Sequence, residues 1–381
     1  MQTPIAELWP GAALAFRGYN TANLGRTDEL LACPAYAPRV RARLDEAGAV
    51  CADILGRPVD LERRVREGRE ACLADYAEAV ALVFATEAAQ LDLLREAHGI
   101  DIATAELAFG YSLGELAALS AAGVLDGAEA LRVPLAMAGD SARLAEGVTM
   151  GVLFSRQLPI DEAVAARLCD EITQAGAGAI GISAVLSPNT LLLLGQGETI
   201  QRFRTQMNDA FPSRVHLKLN HEHWPPLHTP LIWQKNIVDR AAVMIGAMRI
   251  TDAPPAPPVV SLVTGKPIGD RVAIRQTLRN WVDHPQRLWD AVCAVLHSPT
   301  QTVLHIGPAP NVIPATFARL SENVRQFRAR NDLSGMSLRA LGPIIDRPWL
   351  NARLPTSAAL LRAPQLEHVV LEDWLIENAP Q

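Results

Sequence analysis

Residues 110–115, with the sequence Gly-Tyr-Ser-Leu-Gly-Glu, most constrain what this chain can fold into. The lead-in Ala105–Phe109 is short and apolar, as a buried strand would be, and Leu116–Ala122 continues with strong helix formers. A strand, a glycine turn carrying a serine and then a helix predict a nucleophile elbow. The helix N-terminus would present backbone N–H groups to developing negative charge. The competing interpretation is a glycine-rich turn that the serine merely caps.

Composition limits the classes of function. The 381 residues are 49% hydrophobic and 20% charged, which is typical of a globular protein with one large domain or two. A net charge of −6 without a basic block argues against nucleic acid as a partner. No apolar run approaches about 18 residues, so we expect no membrane span. The five cysteines lack C-x-x-C spacing, which predicts free thiols and a cytoplasmic protein.

The order of predicted elements indicates an α/β fold, with an α/β-hydrolase-like core around a parallel sheet. Residues 147–217 have the pattern β-α-β-β-α-β, which predicts an inserted ferredoxin-like subdomain. We therefore divide the chain into a discontinuous core (1–146 and 218–330), this subdomain (147–217) and a C-terminal extension (331–381) that packs on the core. Within the extension, Leu366–Ile376 is predicted to be an amphipathic helix.

A serine nucleophile needs a base within hydrogen-bond reach, most often histidine. His228 is the strongest candidate because it follows a strand-to-loop transition, where catalytic groups usually gather. His221, Glu222 and His223 could instead join His228 in a metal site, although the two nearby prolines and the missing i, i+4 pair argue against one. A purely structural role for His228 is the third alternative.

These landmarks resemble, in order and spacing, the malonyl-CoA:acyl carrier protein transacylases and the acyltransferase domains of fatty-acid and polyketide synthases. The resemblance covers roughly residues 10–325. It is carried by residues 110–115 against the family's G-H-S-x-G-E segment, His228-Thr229-Pro230-Leu231 against its histidine segment, residues 283–289 against its N-P-V-[QR]-W loop, and Ile306-Gly307-Pro308 against its I-G-P-G motif.

The resemblance implies an enzyme that takes an acyl group from coenzyme A and passes it to the phosphopantetheine thiol of an acyl carrier protein, without a bound cofactor or metal. Ser112 would be the nucleophile and His228 the base, oriented by a backbone carbonyl near Arg287 rather than by a carboxylate. The backbone N–H groups of Leu113 and Tyr19 would form the oxyanion hole. An acidic carrier would need a local basic patch on this mildly acidic chain.

Two departures from the family pattern change the shape of the expected substrate pocket. The family's F-P-G-Q-G segment reads Phe-Arg-Gly-Tyr-Asn at residues 16–20, which places the bulkier Tyr19 beside the cleft. The histidine before the serine is Tyr111. Since neither family side chain is the base, the chemistry can survive both exchanges.

A third departure concerns the acyl group. Malonyl-specific members have an arginine about one helix beyond the serine, which binds the free carboxylate; here Met137 or Ala138 occupies that place. Burying a carboxylate without a cation costs several kcal/mol. The sequence therefore predicts an uncarboxylated acyl group, unless Arg17, Arg132 or Arg287 reaches into the pocket.

Two other functions remain open. The same serine and histidine could pass the acyl group to water, which would make the protein a thioester hydrolase. A catalytically weak scaffold that binds a carrier protein is the alternative from another class. The sequence assigns no function to residues 331–381, which extend beyond the family core.

Overall fold

The computed structural model describes residues 5, 9, 11–156, 158–220, 222–333 and 358–380. Its strands form two separate sheets. In chain order the strands are β1 (Ala12–Phe16), β2 (Leu107–Gly110), β3 (Val148–Ser155), β4 (Ile180–Ser187), β5 (Thr190–Gln196), β6 (Val215–Asn220), β7 (Val259–Val260), β8 (Thr302–Ile306) and β9 (Glu367–Val370).

The α-helices that surround these strands carry their own numbering. In chain order they are α1 (Thr27–Ala32), α2 (Ala37–Leu55), α3 (Leu61–Arg66), α4 (Tyr76–His98), α5 (Leu113–Ala121), α6 (Gly127–Ala145), α7 (Glu162–Gln174), α8 (Thr199–Ala210), α9 (Ile237–Ala247), α10 (Arg271–Trp281), α11 (Leu288–His297), α12 (Val312–Leu333) and α13 (Leu371–Glu377). Short 3₁₀ turns, such as Pro230–Asn236, connect some of them.

The larger sheet has the strand order β7-β2-β1-β8-β9, and every neighbouring pair is parallel. Its central strand β1 is buried on both faces, with Ala12, Leu14 and Phe16 in one hydrophobic core and Ala13 and Ala15 in the other. Parallel sheets covered by helices on both faces have such continuous apolar strands. The predicted α/β fold with a parallel core sheet is confirmed.

The register of the larger sheet determines where the functional loops meet. Phe16 lies opposite both Gly110 and Ile306, so β1, β2 and β8 end at the same level. The segments that follow these strands therefore start side by side at the carboxyl edge of the sheet, which is where open α/β sheets bind ligands.

The second sheet is antiparallel, with the strand order β4-β5-β3-β6. The chain passes through it as β3-α7-β4-β5-α8-β6, which is the predicted β-α-β-β-α-β order. Apolar side chains on α7 and α8, such as Leu168 and Phe203, are buried against one face of this sheet. The insert stands between the elbow serine and His228 in sequence.

The prediction of one helix over Leu366–Ile376 is wrong in its first half. Residues 367–370 form β9, which pairs in parallel with the otherwise open edge of β8, and the helix α13 begins only at Leu371. An exposed strand edge offers unpaired backbone groups, and hydrogen bonding to them outweighs the weak helical pattern of a segment with two adjacent valines. Among the helices in the described part of the chain, none combines the length and apolarity of a membrane span.

Candidate active site

Ser112 lies in the tight turn between β2 and α5, with φ 54° and ψ −114°. The turn leaves no room for a side chain at Gly110 or at Gly114. A Cβ at Gly110 would lie 2.0 Å from the Gly114 carbonyl oxygen, and one at Gly114 would lie 2.5 Å from the Phe16 carbonyl oxygen. The strained backbone and the two glycines are the features of a nucleophile elbow.

The elbow brings Ser112 to His228, 116 residues further along the chain. Ser112 Oγ lies 2.7 Å from His228 Nε2, and His228 Nδ1 lies 2.7 Å from the carbonyl oxygen of Trp281. Because a carbonyl oxygen can only accept, Nδ1 carries the proton and Nε2 is left with a lone pair toward the serine hydroxyl. The expected orienting carbonyl therefore exists, but it belongs to Trp281 at the end of α10, not to a residue next to Arg287.

His228 is buried and held in an unusual backbone conformation. It is 4% exposed, has φ 66°, and its backbone N–H donates to the Val282 carbonyl oxygen at 2.8 Å. Burial lowers the pKa of its imidazole to about 4, although the Trp281 carbonyl and Asp283 partly oppose this shift. The imidazole is therefore neutral near pH 7, the form that a general base requires.

Gln286 is a site residue that the sequence analysis did not identify. Its side chain is fully buried, its Oε1 accepts a 2.9 Å hydrogen bond from the Ser112 backbone N–H, and its Nε2 lies 3.3 Å from His228 Nδ1. Trp281 was missed as well, and its indole N–H donates to the Ser112 carbonyl oxygen at 2.8 Å. The signal that could have identified them is the loop at 283–289, which contains Gln286 and begins two residues after Trp281.

The two expected oxyanion donors lie on either side of the elbow. Leu113 is the first residue of α5, where backbone N–H groups have no partner within the helix. Tyr19 follows Gly18, and a Cβ at Gly18 would lie 3.3 Å from Ser112 Cβ. Within the described chain, neither the Leu113 nor the Tyr19 N–H donates a hydrogen bond to another residue.

The expected pocket residues differ in their surroundings. Tyr111 and Tyr19 are partly exposed, and the Tyr19 ring makes edge contacts with Tyr76 and Trp224 at centroid distances of 4.7 and 6.1 Å. Met137 and Ala138 are each 1% exposed, in the middle of α6. The place where the family pattern has its carboxylate-binding arginine is therefore buried and apolar in this chain.

Each of the three arginines considered as a substitute is already bound. Arg17 donates to backbone carbonyls, Arg132 pairs with Asp53 at 2.6 Å, and Arg287 pairs with Asp290 and Glu162 at 2.6 and 3.1 Å. The neighbour of Arg287, Gln286, is the residue whose side chain reaches Ser112 and His228.

The histidine-rich segment does not gather into a metal site where it is described. His223 is exposed whereas His228 is buried against Ser112, and His221 lies outside the described residues. No group of three or more histidine, cysteine or acidic side chains in the described ranges has a metal-binding arrangement.

The sequence of the chain is similar to parts of much longer polyketide synthase proteins. No protein-family model matches the chain. Polyketide synthase GfsA of Streptomyces halstedii is 27% identical over 307 residues, and the polyketide synthase protein NorB of Streptomyces orinoci is 27% identical over 271 residues. These matches cover 78% and 70% of this chain but only 4% and 11% of the relatives, so the chain spans a small part of their length.

Solved structures share the fold over most of the chain. A malonyl-transacylase solved in complex with a type II polyketide synthase acyl carrier protein is 25% identical, with a TM-score of 0.62, and the match covers 80% of this chain and 91% of that one. The malonyl-CoA:acyl carrier protein transacylase of Xanthomonas oryzae has a TM-score of 0.63 at 21% identity, with 80% and 90% of the two chains covered. The chain is therefore similar in fold to the malonyl-CoA:acyl carrier protein transacylases and in sequence to polyketide synthase proteins, which fits a divergent member of that family.

Around Ser112 the chain departs from the pattern of the transacylases that it resembles. Tyr111 precedes the elbow serine, and Arg17 and Tyr19 stand in the segment that follows β1. These departures leave the contact between Ser112 and His228 intact, since none of the three side chains takes part in it.

Proposed function

We propose that the protein is an acyltransferase that moves an acyl group from coenzyme A to the phosphopantetheine thiol of an acyl carrier protein. The observation that carries this proposal is the relay from Ser112 Oγ to His228 Nε2 and from His228 Nδ1 to the Trp281 carbonyl, at 2.7 Å for each contact. A serine at an elbow, hydrogen-bonded to an oriented neutral histidine, is the arrangement of an activated nucleophile.

Ser112 Oγ attacks the thioester carbonyl, and His228 Nε2 takes the hydroxyl proton. The tetrahedral oxyanion accepts hydrogen bonds from the N–H groups of Leu113 and Tyr19, each worth about 3–4 kcal/mol in such sites. The C–S bond then breaks, His228 returns the proton to the leaving thiol of coenzyme A, and the acyl group remains on Ser112. The thiol of the carrier protein reverses these steps.

An uncarboxylated acyl group fits the site better than malonyl. Met137 and Ala138 offer no cation, and Arg17, Arg132 and Arg287 are engaged by carbonyl or carboxylate oxygens. Freeing one of these arginines for a substrate would leave its present partners unpaired, at a cost of about 1–3 kcal/mol for each buried group.

A cleft lined with exposed cations supports the proposal that the protein binds negatively charged partners. Arg156, Lys218 and Arg319 are exposed around one cleft between the antiparallel sheet and α12, and none of them makes an ion pair with a described carboxylate. The phosphates of coenzyme A and the acidic surface of a carrier protein would both be attracted to it. A family relative solved in complex with an acyl carrier protein supports the second partner.

Intact-protein mass spectrometry tests the proposal. The protein is mixed with malonyl-, acetyl- or longer acyl-coenzyme A and then chased with a holo-acyl carrier protein or with buffer. We expect an adduct that is absent from Ser112→Ala, is present in the matched Ser120→Ala variant and moves to the carrier. An adduct that decays as fast in buffer would make the protein a hydrolase, and a complete lack of adduct would favour the scaffold.

A further inference from the structure

Arg17 is a buried cation that the proposed mechanism does not use. It is 3% exposed, although it directly precedes the Gly18–Tyr19 peptide beside the elbow. Its guanidinium makes no ion pair with a described carboxylate and donates instead to backbone carbonyls: Nε to Gly18 at 2.8 Å, Nη1 to Pro308 and to Ala309, and Nη2 to Ala22 at 3.0 Å.

The surrounding chain is shaped to hold this side chain. A Cβ at Gly307 would lie 2.6 Å from Arg17 Cγ, so only glycine leaves room for the stem, and Gly307 has φ 101°. Glu372 of α13 holds the loop after β8 and the loop after β1 together. Its carboxylate accepts hydrogen bonds from the backbone N–H groups of Ala309 at 2.6 Å and of Arg26 at 3.0 Å. The C-terminal helix thus completes the cradle of Arg17.

The bond from Arg17 to the Gly18 carbonyl bears on the oxyanion hole. The Gly18 carbonyl and the Tyr19 N–H belong to one peptide unit, and this peptide is trans. In a planar trans peptide the C=O and N–H point in opposite directions. A donor fixed on the carbonyl side therefore aims the Tyr19 N–H away from the Arg17 guanidinium. The peptide lies beside the elbow, since a Cβ built on Gly18 would lie 2.6 Å from the Tyr111 carbonyl oxygen and 3.3 Å from Ser112 Cβ.

The charge of Arg17 also changes the strength of the donor. A charge-assisted hydrogen bond to a carbonyl oxygen draws electron density from the peptide nitrogen through amide resonance. The N–H of the same unit becomes a stronger donor, as in other chains of polarised hydrogen bonds in a low-dielectric site. The guanidinium would thus act on the oxyanion through one peptide bond without touching the substrate.

We propose that Arg17 is a positioning residue that orients and polarises the Gly18–Tyr19 peptide, so that the Tyr19 N–H stabilises the oxyanion on the acyl group bound to Ser112. This inference rests on the proposed function, because it needs Ser112 to be acylated. It assigns a role to the arginine that replaces the family's proline.

Infrared spectroscopy of the acyl-enzyme tests this role directly. Ser112 is acylated with p-nitrophenyl [1-¹³C]acetate, an ester that requires no recognition of coenzyme A, and the isotope-shifted carbonyl stretch is recorded. Hydrogen bonds in the oxyanion hole lower this frequency. We compare the wild type with three variants. Arg17→Met removes the charge, and Arg17→Lys keeps the charge but loses the planar set of guanidinium donors. Glu372→Gln weakens only the bonds that hold the surrounding loops.

We expect Arg17→Met to raise the carbonyl frequency and to lower kcat about 10-fold with little change in KM, less than the 10²–10³-fold loss that follows deletion of an oxyanion donor. Arg17→Lys should have a carbonyl frequency and a kcat between those of the wild type and Arg17→Met. If Arg17→Met does not fold, the comparison of Arg17→Lys with the wild type is the test. Arg275→Met is the matched control, since the Arg275 guanidinium likewise donates to backbone carbonyls, those of Ile245, Gly246 and Met248, and this variant should leave the frequency unchanged.

A carbonyl frequency that is the same in wild type, Arg17→Met and Arg17→Lys would overturn the inference, as would an equal shift in Glu372→Gln, which would indicate a purely structural latch. Failure of the proposed function has a different signature: the wild type itself would not be labelled at Ser112, and the role of Arg17 would fall with it.

Discussion

The indole N–H of Trp281 donates a 2.8 Å hydrogen bond to the backbone carbonyl oxygen of Ser112, 169 residues away in the chain. The carbonyl oxygen of the same tryptophan accepts from His228 Nδ1. This carbonyl is available because Trp281 is the last residue of α10, where carbonyls lack helical partners. One residue at a helix end therefore holds both the elbow and the histidine.

Trp281→Phe removes the indole N–H but keeps the backbone carbonyl. We expect the free energy of unfolding to fall by about 1–3 kcal/mol, because the Ser112 carbonyl loses its partner. Acylation should slow only modestly, since His228 stays oriented. Urea unfolding and adduct formation measure the two effects. Trp374→Phe is the control, because the buried Trp374 indole N–H has no partner in the described chain; equal losses in both variants would contradict the prediction.

Gln286→Met keeps the length of the side chain but removes the acceptor of the Ser112 N–H. We expect a loss of about 1–3 kcal/mol in unfolding free energy, together with slower acylation from a less well-held elbow. Gln276→Met serves as the control, because the Gln276 amide lies on the exposed face of α10 and bonds only to Asn280 in the described chain. An unchanged acylation rate in Gln286→Met would remove Gln286 from the site.

An arginine at position 137 or 138 should increase the yield of malonyl adduct relative to acetyl adduct. The physical reason is that a guanidinium supplies the bidentate partner that the malonyl carboxylate lacks in the native pocket. Met137→Arg and Ala138→Arg are compared with Ala136→Arg, whose side chain lies at a partly exposed position of α6. If neither of the first two variants gains malonyl, the position assigned to the missing arginine is wrong.

The lowered pKa of His228 predicts an unusual pH dependence. Because kcat/KM follows the ionisation of the free enzyme, its acid limb should lie near pH 4 rather than near 6.5. Gln286→Glu should move this limb to higher pH, because a carboxylate beside the imidazole favours its charged form. A limb near 6.5 in the wild type would mean that His228 is accessible to water in solution.

The same lowered pKa of His228 makes the free energy of unfolding depend on pH. The folded pKa of His228 lies below the unfolded value, so the unfolded chain binds a proton between pH 6.5 and 4 that the folded protein does not. The free energy of unfolding should therefore fall as pH drops through this window, by roughly 3 kcal/mol at about 1.4 kcal/mol for each pKa unit. His228→Gln should lose this part of the pH dependence in urea titrations at fixed pH.

Local sequence patterns predicted most of the framework. The elbow, the β-α-β-β-α-β insert and the core strand Thr302–Ile306 are each encoded by short-range apolar periodicity and glycine placement, which act before distant parts of the chain meet. The prediction of a helix over 366–376 is wrong at its start, because the strand there forms only against the edge of β8, and pairing with a distant strand leaves no local pattern.

The sequence by itself determined the parallel core, the strained turn that carries Ser112 and the presence of His228 in a loop, since these depend on periodicity, glycine geometry and residue type. The tertiary structure decided which carbonyl orients the histidine, that Gln286 and Trp281 bind the elbow, and that Arg17 is bound by backbone carbonyls rather than free for a substrate. The hydrogen bonds of His228, Gln286 and Trp281 join residues 53 to 174 positions apart, so they depend on how strands and helices pack, and side-chain spacing along the chain does not encode them.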